Sequence, residues 1–124
     1  MSHLVSIQTE VRDRAALGLA CQRLQLPPPV HGTAQLFGAQ QATGELVRLR
    51  GWRYPLVCQL DSGALQYDNF GGQWGAPEEL ARLLQSYACE KAKLEARRRG
   101  HAVTEQPLDN GAIKLVIQLA GGAS

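Results

Sequence analysis

The clearest hydrophobic pattern in the chain lies between Pro77 and Gly100. Apolar side chains recur there at spacings of three and four residues: Leu80, Leu83, Leu84, Tyr87, Ala88 and Leu94. This spacing predicts a long amphipathic helix with one face to bury. Proline suits the first helical turn, where its missing N–H would be unpaired anyway, and Gly100 suits the left-handed conformation that ends a helix.

After Gly100 the pattern changes to the two-residue alternation of a β-strand. Within residues 112–119, one side of the predicted strand carries only aliphatic residues: Ile113, Leu115, Ile117 and Leu119. Asn110-Gly111 favours a tight turn that joins this strand to an earlier one at residues 102–105. We therefore expect a hairpin covered by the long helix, with Leu115 in the core of a central or near-central strand.

The first half of the chain shows the same two kinds of pattern. Residues 5–11 alternate as a first strand, and Asp13 suits the N-cap of a helix that Pro27-Pro28-Pro29 terminates. That helix has a short apolar stripe made of Leu17, Ala20, Cys21 and Leu24. Three or four short strands are expected next, at residues 33–37, 45–50, 55–60 and 64–69.

These elements give the order β-α-β-β-β-β-α-β-β. Runs of neighbouring strands joined by short turns favour antiparallel pairing, and two amphipathic helices favour a second layer on the sheet. We therefore predict an α+β fold with a mainly antiparallel sheet and both helices packed on one face, related to the ferredoxin-like arrangement.

Length and composition favour one compact domain that spans residues 1–124. A chain of this size buries on the order of two-thirds of its unfolded surface, enough for a core without disulfides. The three cysteines are widely spaced and charged residues interrupt the N-terminus early, so we expect free thiols in a reducing cytoplasm. No apolar run approaches the roughly 20 residues of a membrane helix, so no membrane partner is expected.

Candidate catalytic and metal-ligating residues are few and scattered. His3, His31 and His101 form no local ligand pair with one another or with the cysteines, so we expect no metal and no cofactor. Ser62 lies in a turn without the sequence context of a nucleophilic serine. An enzyme would need a site assembled from distant residues, and a non-enzymatic protein is the favoured interpretation.

A first candidate binding surface alternates basic and aromatic side chains: Arg48, Arg50, Trp52 and Arg53. On a strand, the two first arginines would contact phosphates while the tryptophan stacks on bases. The net charge of the chain is only +2, whereas most dedicated nucleic-acid-binding proteins have a stronger basic bias. A nucleic-acid-binding module is therefore the alternative interpretation.

A second candidate surface consists of aromatic and arginine side chains in or beside segments rich in glycine and proline: Arg53, Tyr54, Tyr67, Phe70 and Trp74. Loops present such side chains while sheet and helices hold them in place. Aromatic and arginine side chains are also the usual anchors of protein interfaces. The favoured function is therefore protein–protein interaction.

Several short segments support a resemblance to a known family. They are Met1-Ser2-His3, residues 10–13, residues 67–75, Tyr87-Ala88, residues 95–97, residues 100–103 and residues 109–116. In these the chain resembles the uncharacterised family that includes the hypothetical chloroplast reading frame thirty-five protein of plastids and cyanobacteria. The likeness covers both ends of the chain and little of the middle.

The resemblance implies no activity, cofactor or active site, because the family has none established. Its members often carry a histidine just after the Tyr-Ala pair, where this chain has Glu90, so no role of that histidine is expected here. Relatives in other bacteria tend to be encoded near an ATPase of the AAA type. The resemblance therefore implies an accessory protein, with such an ATPase as a candidate partner.

Overall fold

The computed structural model describes residues 4–119 of the chain. Its helices are α1 (Arg14–Arg23) and α2 (Pro77–Arg98). Its strands are β1 (Val5–Gln8), β2 (Val30–Gln35), β3 (Gln41–Val47), β4 (Leu56–Gln59), β5 (Ala64–Tyr67), β6 (Ala102–Pro107) and β7 (Ile113–Gln118). The predicted α+β class and the predicted order of elements are confirmed.

Both helices begin and end where the local sequence requires. The Asp13 carboxylate accepts a hydrogen bond from the Ala16 N–H at 3.1 Å and so caps α1. At the C-terminal end of α2, Gly100 has a φ of 77°, and the His101 N–H donates to the Ala96 carbonyl at 2.9 Å. This pattern is a Schellman motif, in which the left-handed glycine lets the last carbonyls of the helix find donors.

Five strands form one antiparallel sheet in the order β1-β5-β4-β3-β2. The helices cover one face of this sheet, because residues of α1, α2 and the central strands share a single core cluster. Its fully buried aliphatic members include Leu17, Val47, Leu56, Leu65 and Leu83. Cys21, a member of the predicted apolar stripe of α1, also lies in this core, and so does Cys58.

The opposite face of the sheet has a smaller core made of Ala34, Leu36, Ala42 and Val57. Its alanines pair with each other in the outer half of the β2–β3 hairpin. Gly32 pairs with Gly44 nearer the middle of the hairpin, so both strands lack a side chain there. A Cβ atom on Gly44 would lie 2.6 Å from the Cys58 carbonyl oxygen, so only glycine fits there.

Strands β6 and β7 form a separate two-stranded sheet and do not join the five-stranded one. The expectation that Leu115 lies in the core of a central strand is therefore wrong: Leu115 is half-buried on the outer strand of a hairpin. Leu115 lies beside a charged residue rather than an apolar one, because its cross-strand neighbour is Glu105. Glu105 forms ion pairs with Arg23 of α1 and Lys93 of α2, and these ion pairs attach the hairpin to the helices.

Candidate functional site

The segment from Asp68 to Gly75 forms a tight loop between β5 and α2. The Asn69 carbonyl accepts hydrogen bonds from the N–H groups of Gly72, at 3.0 Å, and Trp74, at 2.9 Å. Phe70 has a φ of 47°, an unusual conformation for a residue with a side chain, and two glycines follow it. These contacts fix the positions of the Phe70 and Trp74 side chains.

Trp74 lies at the centre of an aromatic cluster. Its ring centroid is 4.6 Å from that of Phe70, 5.1 Å from that of Phe37 and 5.7 Å from that of Tyr54. The Arg53 guanidinium carbon lies 4.9 Å from the centroid of the indole, within the range of a cation–π interaction. We call these residues, Phe37, Arg53, Tyr54, Phe70 and Trp74, the Trp74 cluster.

The Trp74 cluster joins three loops on the side of the sheet away from the helices. The Arg53 N–H donates to the Trp74 carbonyl at 2.8 Å, so backbone as well as side chains link the β3–β4 connection to the loop before α2. Tyr54 packs against the smaller core beneath. Arg53 and Phe37 are exposed, whereas Tyr54, Phe70 and Trp74 are half-buried. The cluster thus presents apolar rings and one cation to solvent on a fixed support.

The structure brings together four of the five residues expected at the interaction surface, and it excludes Tyr67. Tyr67 is on β5 with its side chain on the helix side of the sheet, where its ring centroid lies 5.5 Å from that of Trp52. Phe37 was missed by the sequence reasoning. Its signal was present, because it is an aromatic residue beside Gly38 in the β2–β3 turn.

Trp52, the residue expected to stack on bases in the alternative nucleic-acid surface, is buried. Trp52 is 9% exposed, and its Nε1–H donates to the Ala76 carbonyl at 3.0 Å. The indole also lies directly against Gly75. Arg48 and Arg50 are exposed beyond the end of β3, and Arg50 donates to the Leu24 carbonyl at 3.2 Å. Trp52 is therefore a core residue and is not available to stack on a base.

A polar groove of about 430 Å³ lies at the edge of the sheet near the start of α1. At its base, the Glu45 side chain is 4% exposed and its Oε2 lies 2.6 Å from His31 Nδ1 and 3.2 Å from the Arg14 guanidinium. A buried carboxylate needs such cationic or hydrogen-bonding partners. The Glu45 carboxylate holds the imidazole by one nitrogen, and Asp61 also lines the groove.

A second, mainly apolar groove of about 770 Å³ runs between α2 and the connection from β1 to α1. The Tyr87 hydroxyl lies at this junction and accepts hydrogen bonds from the N–H groups of Arg12, at 3.1 Å, and Asp13, at 2.9 Å. The Lys91 ammonium lies 3.0 Å from the Asp13 carboxylate and 2.9 Å from that of Glu95. These contacts connect the two helices, and the polar groups near the groove are occupied with one another.

Among residues 4–119, no group of three or more His, Cys, Asp or Glu side chains could hold a metal ion. His3 lies outside the described residues. Neither α1 nor α2 is long and apolar enough to cross a membrane. The chain matches no protein-family model, no curated protein and no solved structure.

Proposed function

We propose that this chain is a small cytoplasmic accessory protein without enzymatic activity, which binds a protein partner through the Trp74 cluster. The observation that supports the proposal most is the gathering of three rings and one guanidinium around the half-buried indole of Trp74. Trp, Tyr and Arg are the residue types that dominate binding energy at interfaces. They combine a large apolar area with a polar group that fixes orientation.

The chemistry of the cluster suggests the chemistry of the partner. Arg53 is exposed, and a guanidinium has N–H donors in a planar fork that matches a carboxylate. The rings of Phe37, Phe70 and Trp74 beside it suit an apolar side chain. The partner surface should therefore carry an acidic residue next to an apolar one. An ATPase of the AAA type, which the family resemblance implies, is the first candidate to test.

The loop geometry also favours binding. The backbone hydrogen bonds of Asn69, Arg53 and Trp74 hold the cluster in one arrangement before a partner arrives. Association then requires little further ordering of the loops, and less of the interaction energy is lost as conformational entropy.

The test is to measure partner binding with Arg53→Ala and Trp74→Ala. Each variant should weaken the affinity by about 1 kcal/mol or more, roughly fivefold, as loss of an interface anchor does. Arg48→Ala is the matched control, because Arg48 is an exposed arginine outside the cluster. Thermal unfolding should show that the arginine variants keep their stability. A folded double variant, Arg53→Ala with Trp74→Ala, that binds the partner as tightly as the wild type would refute the proposal.

The nucleic-acid alternative is tested by retention on a polyanion column as a function of salt. With Trp52 in the core, Arg48, Arg50 and Arg53 remain as contacts to phosphates. We expect no retention at physiological ionic strength, since three exposed arginines supply little counterion release. Retention that falls with salt and disappears when Arg48 and Arg50 are both changed to Ala would favour the alternative.

A further inference from the structure

Within the part of the chain that the structure describes, neither outer edge of the β6–β7 hairpin pairs with another strand, and the two edges differ in composition. Among residues 4–119, β7 pairs with β6 alone. Each strand carries one charged residue, Glu105 in β6 and Lys114 in β7. Strand β6 also ends at Pro107, and proline protects an edge strand from pairing, whereas β7 has no proline. The less protected edge is therefore that of β7.

Exposed apolar side chains are concentrated at the same place. Of the six large apolar residues that are exposed among the described residues, four lie in the hairpin: Leu108, Val116, Ile117 and Leu119. Val116 is 46% exposed and Leu119 is 64% exposed. A groove of about 380 Å³ separates Ile117 and Leu119 from Ala92 and Ala96 of α2. Val116 lies on the face of β7 opposite Ile117, so exposed apolar side chains flank the strand on both faces. Exposed apolar surface of this kind usually marks an interaction site.

We infer that β7 is a dimerisation edge, where a second copy of this chain adds its own β7 in antiparallel orientation about a twofold axis at Val116. A twofold axis between antiparallel neighbours is perpendicular to the sheet, so the two copies keep the same face toward their helices. The register must then pair residues that share a face.

Centring the axis on Val116 gives a register in which the side chains match across the contact. It places Ile113 opposite Leu119 and Leu115 opposite Ile117, so the aliphatic row continues across the contact. It also places Lys114 opposite Gln118, and no like charges meet. Centring the axis on Lys114 would set two ammonium groups directly opposite each other, which destabilises a strand pair.

The dimer would also extend the small sheet. Two strands gain stability from further strands that continue their apolar face. The inferred contact makes a four-stranded sheet with both α2 helices on one face. Ile113 of the second copy would lie beside Leu119, at the mouth of the groove that Ala92 and Ala96 line. This surface is distinct from the Trp74 cluster, so the inference does not depend on the proposed function.

Sedimentation equilibrium of the full chain over a range of concentrations tests the inference. We expect a monomer–dimer equilibrium for the wild type. Val116→Lys and Val116→Glu should each be monomeric, because the axis sets each introduced charge opposite itself, and their equimolar mixture should recover the dimer. Val30→Lys is the matched control, since Val30 is an exposed valine on the edge strand β2, and this variant should dimerise as the wild type does.

A thiol introduced at the axis gives an independent measurement. In Val116→Cys, mild oxidation should link two copies through residue 116, because directly opposite Cβ atoms lie within disulfide range. Thr104→Cys, on the neighbouring strand opposite Val116, should not form the link. A monomeric wild type would overturn the inference, as would a dimer that survives Val116→Lys or a mixture of folded charge variants that stays monomeric.

Discussion

The Glu105 carboxylate forms the ion pairs that link the β6–β7 hairpin to both helices, and changing it gives a prediction with a defined pH dependence. The side-chain hydrogen bond from Arg23 and then that from Lys93 lower the pKa of Glu105 from 4.5 to about 2. The two ion pairs measure 2.5 Å and 2.6 Å. Replacing Glu105 with Gln removes both and leaves two cations close together.

The magnitude follows from the pKa shift and the exposure of the group. Each unit of pKa shift corresponds to about 1.4 kcal/mol, so the full shift would be worth about 3 kcal/mol. Because the Glu105 side chain is 26% exposed, solvent screening reduces this stabilisation, and we expect roughly 1–2 kcal/mol at neutral pH. The folded-state pKa is the lower one, so the stabilisation is present above about pH 5 and is lost as the pH falls toward 2.

The measurement combines urea denaturation with amide hydrogen exchange of the hairpin. At pH 7, Glu105→Gln should lower the free energy of unfolding and speed exchange in β6 and β7, whereas at pH 2.5 it should differ little from the wild type. Glu95→Gln is the control, because Glu95 forms more exposed ion pairs with Lys91 and Arg98. If the Glu105 variant lost the same stability at both pH values, or none at pH 7, the assigned role of this carboxylate would be incorrect.

Two further predictions concern the core. Gly75→Ala should destabilise the protein by roughly 1–3 kcal/mol through overpacking, because the new Cβ would lie 2.5 Å from the buried Trp52 ring. Gly18→Ala in α1 should instead stabilise the protein by roughly 0.5–1 kcal/mol, because the new Cβ meets nothing within 4 Å. Denaturation curves that ranked the two variants the other way would contradict this account. Burial raises the pKa of Cys21 to about 11 and that of Cys58 to about 12, so both thiols should react with a thiol reagent only as fast as the protein opens. Rapid modification of either thiol in the native protein would show that its surroundings are not closed.

Elements with a local physical cause could be predicted from the sequence. The start of α2 at Pro77, its end at Gly100, the Asp13 cap and the Asn110-Gly111 turn all follow from the conformational preferences of single residues and their hydrogen-bonding needs. The apolar stripe of the first helix likewise indicated that Leu17 and Cys21 lie on a buried face. These features depend on neighbours only a few residues away.

The candidate site was predictable in part. Arg53, Tyr54, Phe70 and Trp74 were expected together because each lies in or beside a loop. Tyr67 was placed with them wrongly, since it belongs to β5 and its face depends on the register of that strand with β1 and β4. Phe37 joins the cluster because the β2–β3 turn packs beside the loop before α2, and these two segments are distant in sequence.

The sequence by itself determined the elements, their order and most of their buried faces, because periodicity and terminating residues act over a few positions. Only the tertiary structure decided that the hairpin stands apart from the sheet, that Trp52 is a core residue and that Glu45 is buried between Arg14 and His31. Each of these outcomes depends on which distant segments meet. Strand partners and compensating charges are chosen by the packing of the whole chain, and no local pattern encodes that choice.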